Sequence, residues 1–349
     1  MNFSKKFYLG IFIFSFLLPL TAQDSGARFL LLQPSATSQA MGGVGVALHQ
    51  DVFALYYNPA ALAFTKQYSI SGSLVKPFPF FGNSLHSFIG AIIPLKHFGT
   101  LAVSANLYWK GTQQQVDITG NLIGPVSENN ELLNSQLKIA YALPLSRQVS
   151  LGVGIGRVQI NLSDIALGVR GEKSGASAFF ADLGIFATNL LPNLTLKPTL
   201  DPLPVKLRWL ADIRKYQGIS LGISLSNLGS NLRFIEEEFA DKLPGKLTIG
   251  ASYWPLSSEV ISAMIAVDLE MPLFEDSSVD YLHLGTQVRF LHLFSLRFGR
   301  YIDTTDNLRK SFNTFGGGIH LRYFAFNIAR YNRTYRSIWH YDVTLQLEI

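Results

Sequence analysis

From Trp339 to Ile349 the chain alternates strictly. Trp339, Tyr341, Val343, Leu345, Leu347 and Ile349 are apolar or aromatic, while His340, Asp342, Thr344, Gln346 and Glu348 are polar. A period of two belongs to a strand with one face in an apolar medium and the other in a polar interior. A run of about ten such residues is the length of a tilted strand crossing a bilayer, about twice that of a common soluble strand. A spanning strand cannot stand alone, because every backbone N–H and C=O in hydrocarbon needs a partner, so the sheet must close. As the last strand, this one is expected to close a barrel against the first.

The pattern recurs. Leu101, Val103, Ala105, Leu107 and Trp109 oppose Ser104, Asn106, Tyr108 and Lys110; Ile219 to Leu225 and Ile261 to Met271 alternate in the same way. Strands are predicted near 67–75, 84–93, 98–110, 134–143, 149–161, 175–188, 218–227, 246–255, 259–270, 279–290, 293–301, 312–322, 323–331 and 338–349. That is about fourteen, an even number suited to a closed antiparallel barrel. The expected fold class is therefore all-β, a transmembrane antiparallel barrel. Composition agrees: aromatics are 13% and charged residues 15%, against roughly 25% charged in soluble domains. After residue 20 no apolar run approaches the roughly 18 residues of a spanning helix. Connections 111–133, 162–174, 228–245 and 302–311 are mostly long and polar; Pro94–His97, Pro144–Gln148, Pro255–Ser258 and Leu291–His292 are short. Long loops outside and short turns in the periplasm are usual for such barrels. Residues 190–217, with Pro192, Pro198, Pro202 and Pro204, break the scheme. Leu207–Ile213 is either a further strand or part of an insertion.

At the N-terminus Lys5 and Lys6 precede an apolar run, Phe7–Leu20, and then Thr21-Ala22-Gln23. This order reads as a secretory signal peptide cut after Ala22, so export through the Sec pathway is expected. The organisation becomes 1–22 signal peptide, 23–66 N-terminal segment and 67–349 barrel. The middle segment does not alternate. It holds Gln33-Pro34, Met41-Gly42-Gly43-Val44-Gly45-Val46-Ala47, Asp51 and Tyr57-Asn58-Pro59-Ala60-Ala61-Leu62. The glycines permit close backbone approach and positive φ, and Asn58 before Pro59 is biased to an extended conformation that closes a turn. These features predict a compact piece folded into the lumen.

Those residues resemble the N-terminal hatch of FadL-like outer-membrane barrels, and with Phe29-Leu30-Leu31-Leu32 and Ala40-Met41-Gly42-Gly43 most of all the PorV/PorQ branch. Asn227-Leu228-Gly229 and Leu243-Pro244-Gly245-Lys246-Leu247 resemble recurring elements of that branch. The resemblance implies a gating hatch of Met41, Gly42, Gly43, Gly45, Asp51, Tyr57, Asn58, Pro59 and Ala60 in a Gram-negative outer membrane. It also implies partners: the type IX translocon, the C-terminal signal domains of its cargo, or components of the surface attachment complex. The rival it implies is a FadL-like transporter of fatty acids or other hydrophobic molecules. Phe78, Phe80, Phe81 and Trp109 would then be an apolar landing site or, more simply, an aromatic girdle.

Other chemistry finds little support. With no cysteine, thiolate metal sites, thiol nucleophiles and disulfides are excluded. The net charge of +5 is spread out, so no nucleic-acid face is expected. Gly152-Val153-Gly154-Ile155-Gly156 lacks the spacing and the following helix of a dinucleotide fingerprint; it and Gly316-Gly317-Gly318 read as glycines on a strand face. The seven histidines show no metal spacing. No catalytic, cofactor or metal residue is assigned. Glu236-Glu237-Glu238 with Asp241 reads as a solvated loop rather than a calcium site. His320 with Arg322, and His340 with Asp342, are expected to share a lumen wall. The arginines at 297, 300, 322, 330, 333 and 336 are expected to pair inside with Asp268, Glu270, Asp342 and Glu348 rather than contact lipopolysaccharide at strand ends.

Overall fold

A computed structural model describes residues 26–48, 51–77, 84–110, 133–166, 173–198, 217–233, 240–274, 280–304, 311–333 and 336–347. The signal-peptide residues, Phe78, Phe80, Phe81, Glu236–Glu238, Leu207–Ile213 and Glu348 lie outside them. The strands are β1 (Tyr68–Val75), β2 (Leu85–Pro94), β3 (Thr100–Trp109), β4 (Leu133–Pro144), β5 (Val149–Ala166), β6 (Lys173–Leu190), β7 (Gly218–Gly229), β8 (Leu232–Arg233), β9 (Ala240–Asp241), β10 (Lys246–Ser257), β11 (Ile261–Pro272), β12 (Tyr281–Phe290), β13 (Phe294–Asp303), β14 (Phe312–His320), β15 (Phe324–Arg333) and β16 (Arg336–Leu347). All but β8 and β9, a small hairpin, join one closed antiparallel barrel of fourteen strands in chain order.

The terminal alternation is realised as expected. β16 pairs with β1 from Tyr68↔Leu347 to Val75↔His340, closing the ring. Its odd-numbered side chains face out, with Trp339 44% and Leu345 50% exposed, while His340, Asp342 and Thr344 are buried. The same outward apolar face runs round the wall through Ile70, Ile89, Leu137, Ile155, Ile185, Ile223, Ile265, Leu296 and Phe315. An apolar exterior around a polar, filled interior is the surface a bilayer requires, and this is an outer-membrane barrel.

β5 and β6 are 18 residues each, where most others have 10 to 12. β4 pairs with β5 only as far as Gln159, so the far end of the β5–β6 hairpin extends beyond the wall on the side of the long connections. At the opposite end the β2–β3, β4–β5, β10–β11, β12–β13 and β14–β15 turns are short. The irregular connection after β6 supplies no extra barrel strand among the described residues. Pro192–Leu194 form a 3-10 turn, and Leu196 makes an isolated parallel bridge to Leu256.

Candidate functional site

The interior is built around residues 26–65. The helix Ala36–Ala40 begins at Ser35, whose hydroxyl accepts from the Ser38 amide at 3.2 Å. It ends where Gly43 N donates to Ser38 O and Gly42 N lies near Gln39 O, with Gly42 at φ 74°. That paired closure with glycine in the left-handed region is a Schellman motif. A second short helix, Ala54–Tyr57, leads through Asn58 into the 3-10 helix Pro59–Phe64. Proline at the first position suits this start, since its missing N–H would have had no helical partner.

Each residue of the expected motif has a definable contact. Met41 is fully buried with Val44, Trp254 and Met264. Gly42 N donates to Thr314 Oγ1 at 2.8 Å, and Gly42 O meets His283 Nδ1 at 2.7 Å. A side chain on Gly43 would meet His283 and Gln33, and one on Gly45 would overlap the Tyr57 ring. The amides of Gly45 and Val46 both donate to Asp268 Oδ2, at 2.6 and 2.9 Å. Asp51 accepts from the Phe53 amide at 3.1 Å and from Thr344 Oγ1 at 2.9 Å. Asn58, fully buried, donates through Nδ2 to Val46 O and to Ile185 O on β6, both at 3.0 Å, and accepts from the Ala60 amide at 3.1 Å. Pro59 and Ala60 press on β5, where Ser150 Oγ donates to Ala60 O at 2.8 Å. The Tyr57 hydroxyl donates to Gln33 Oε1 at 3.4 Å. Burial raises the phenols of Tyr56 and Tyr57 well above their usual range, so both are neutral donors.

The wall is cut to fit. Gly152 pairs with Gly184, Gly222 with Gly250 and Gly285 with Gly299 across neighbouring strands. A Cβ at Gly152 would overlap the Ala60 amide, one at Gly184 the Asn58 carboxamide, one at Gly222 the Val46 carbonyl and one at Gly299 the Gly42 amide. Three opposed glycine pairs thus seat three points of the segment directly on wall backbone. Gly152 and Gly154 lie on one inward strand face, as expected, and at Gly316 a side chain would collide with Ala40.

Charged groups complete the seat. Lys138 Nζ forms an ion pair with Asp182 and donates to Leu55 O, and Lys246 pairs with Glu270 at 2.6 Å. Asp342 Oδ2 accepts from the Ala36 amide at 2.7 Å, and His340 Nε2 lies 2.8 Å from Pro34 O. His340 and Asp342 therefore share an inner wall as expected. His320 and Arg322 do not: β14 ends at His320, so Arg322 falls in the following turn, exposed and beside the Tyr323 ring.

The expected arginine–carboxylate pairing is also corrected. The fully buried Arg297 donates to Gln287 Oε1 at 2.6 Å and Asn327 Oδ1 at 2.9 Å, with His320 Nε2 at 2.9 Å. Asn327 in turn donates to Asp342 Oδ1 at 2.7 Å. The physical reason is competition, because Asp268 and Asp342 already accept segment amides. Arg300 is exposed on Asn313, and Arg330 lies outside between Phe315 and Trp339. The side chains of Arg333 and Arg336 are outside the described residues. Lys138 and Asp182 were not singled out by sequence; the only signal was their inward parity on predicted strands.

The two further motifs meet each other. Asn227, at φ 59°, donates from its backbone to Asp182 Oδ1 at 2.6 Å and from Nδ2 to Pro244 O at 3.1 Å. This turns the β7–β10 connection inward. Leu232 and Leu243 are buried against Phe29, Leu30 and Phe180, and Gly26 N donates to Lys242 O at 2.9 Å. Below this cover, two voids beside the segment among the described residues are small, about 60 Å³ by Met41 and Trp254 and about 10 Å³ by Lys138. A larger cleft, about 500 Å³, opens at the long-connection end between Phe29, Leu32, Tyr108 and Ile160.

Residues 21–189 match the family model described as Type IX secretion system protein PorV. No curated protein matches the chain. Among solved structures the fold is similar to the Ralstonia pickettii toluene transporter TbuX (12% identity, TM-score 0.55, 91% of this chain and 99% of that one). It is also similar to the Pseudomonas putida toluene transporter TodX (13%, 0.51, 94% and 99%) and a Pseudomonas aeruginosa FadL homologue (9%, 0.50, 90% and 98%). At these identities the likeness is one of fold.

Proposed function

We propose that this PorV-like, FadL-fold barrel is a non-enzymatic outer-membrane component of the type IX secretion system that works through its outer surface. The match to PorV over residues 21–189, which spans the N-terminal segment and β1 to β6, carries the reading. The filled interior supports it: residues 26–65 bond to wall strands around the ring, so the segment acts as a standing hatch rather than a loose plug. Met41, Gly42, Gly43, Gly45, Asp51, Tyr57, Asn58, Pro59 and Ala60 hold that hatch. The long β5–β6 hairpin and the β7–β10 connection receive cargo signal domains or attachment-complex proteins.

A second reading, transport of hydrophobic molecules, is favoured by one observation. The cleft of about 500 Å³ at the long-connection end has an apolar side of Phe29, Leu32, Tyr108 and Ile160 and a polar rim of Arg28, Lys110, Asn134 and Asp241, a size and a mixture suited to a small, mainly apolar ligand. Purification of the tagged full chain from native envelopes, with quantitative mass spectrometry of what accompanies it, separates the two. Enrichment of proteins bearing type IX signal domains is expected. Their absence, together with uptake of labelled toluene or fatty acid that depends on the protein, would establish transport instead.

A further inference from the structure

At the short-turn end, three turns that are neighbours along the wall share one composition. The β2–β3 turn exposes Leu95, Lys96 and Phe98, the last 75% exposed; the β4–β5 turn exposes Leu145, 57%, and Arg147; the β6–β7 connection exposes Leu194, Leu196, 70%, and Lys197. None of residues 95–99, 145–148 or 191–198 is acidic. These side chains are held out on fixed backbone. Leu95 N donates to Gly99 O at 2.8 Å, Tyr141 Oη donates to Phe98 O, Leu145 N donates to Val149 O at 2.9 Å, and Tyr253 Oη donates to Leu194 O at 2.7 Å. Elsewhere on that rim the β10–β11 turn carries Glu259 and the β12–β13 turn buries His292 and Leu293, while the β14–β15 turn, outside the arc, exposes Arg322 and Tyr323.

We infer that this arc is a docking surface for anionic phospholipid of the periplasmic leaflet, with Leu95, Phe98, Leu145 and Leu196 entering the acyl boundary and Lys96, Arg147 and Lys197 meeting the phosphates. Two observations carry it. The apolar side chains continue the outward faces of β2, β4 and β6, where Ile93, Leu143 and Ile185 are exposed, so they lie at the edge of the lipid band. The cations stand one or two residues from them, with no acidic residue among the described residues of these turns, the arrangement of interfacial anchors on a negatively charged surface. The inference rests on the orientation proposed above, with short turns toward the periplasm.

The test is lipid retention by the full-length protein, purified in detergent and exchanged against phosphatidylcholine, phosphatidylglycerol or lipid A, read by native mass spectrometry. Wild type is expected to retain phosphatidylglycerol over phosphatidylcholine. The variant Lys96→Glu/Arg147→Glu/Lys197→Glu should lose that preference, by about fivefold or more for each charge removed. Lys76→Glu, at the opposite end, should keep it, and a gel-shift assay for the closed barrel checks folding of each. If the triple variant folds and still retains phosphatidylglycerol like wild type, the inference is wrong. If it loses lipid A binding instead, the orientation is wrong and the short turns face outward.

Discussion

A single amide shows how the interior is secured. Asn58 uses both sides of its carboxamide, tying Val46 to the strand carbonyl of Ile185 and capping the next turn. Asn58→Ala takes the side-chain donor from the Val46 carbonyl and the acceptor from the Ala60 amide, both buried, so it should lower unfolding stability by about 2–6 kcal/mol, at about 1–3 kcal/mol per unsatisfied group, measured by denaturant titration in micelles. Asn58→Asp should be no better, because a carboxylate accepts where both carbonyls need donation. Gly184→Ala should act differently. Its Cβ collides with that carboxamide, so the barrel should still close while residues 26–65 become open to added protease. Asn58 and the Met41-Gly42-Gly43 cluster were legible because Asn-Pro and glycine runs have few conformational uses. The glycine pairs were not, since facing residues on two strands are fixed by register, and register needs the whole ring.

Among elements, the strands were the most legible part, from β3 to β16, because lipid outside and polar packing inside impose a period of two on every span. What the period does not reveal is which inward groups meet. Arg297 was expected on a carboxylate and instead bonds Gln287 and Asn327, because the nearby acids hold the segment's amides. The ion pair Lys138–Asp182 joins β4 to β6 across β5 and also holds Leu55 O. Lys138→Met strands a buried carboxylate and should cost about 3–5 kcal/mol, while Lys138→Met/Asp182→Asn should recover much of the loss. Thermal unfolding of the three proteins in one detergent checks this. Equal stability of the single and double variants would show that the pair contributes through Leu55 alone. The connection after β6 was illegible for a plain reason: four prolines remove ladder donors, so no periodicity survives to be read.

For the whole molecule, a fourteen-stranded wall bonded from within to its own N-terminal segment leads to an expectation about conduction. Reconstituted in planar bilayers, the intact protein should show no steady conductance, and a variant lacking residues 26–65 should conduct if it closes. Conductance by the intact protein would mean that the segment leaves the lumen. Service to type IX secretion is tested in a strain of the source organism lacking this protein. Mass spectrometry would compare periplasmic, surface and medium levels of proteins bearing type IX C-terminal signal domains with those of the parent strain. These proteins are expected to accumulate in the periplasm or lose their surface attachment, and the wild-type copy to restore them. Unchanged distribution of every such protein would contradict service to type IX secretion.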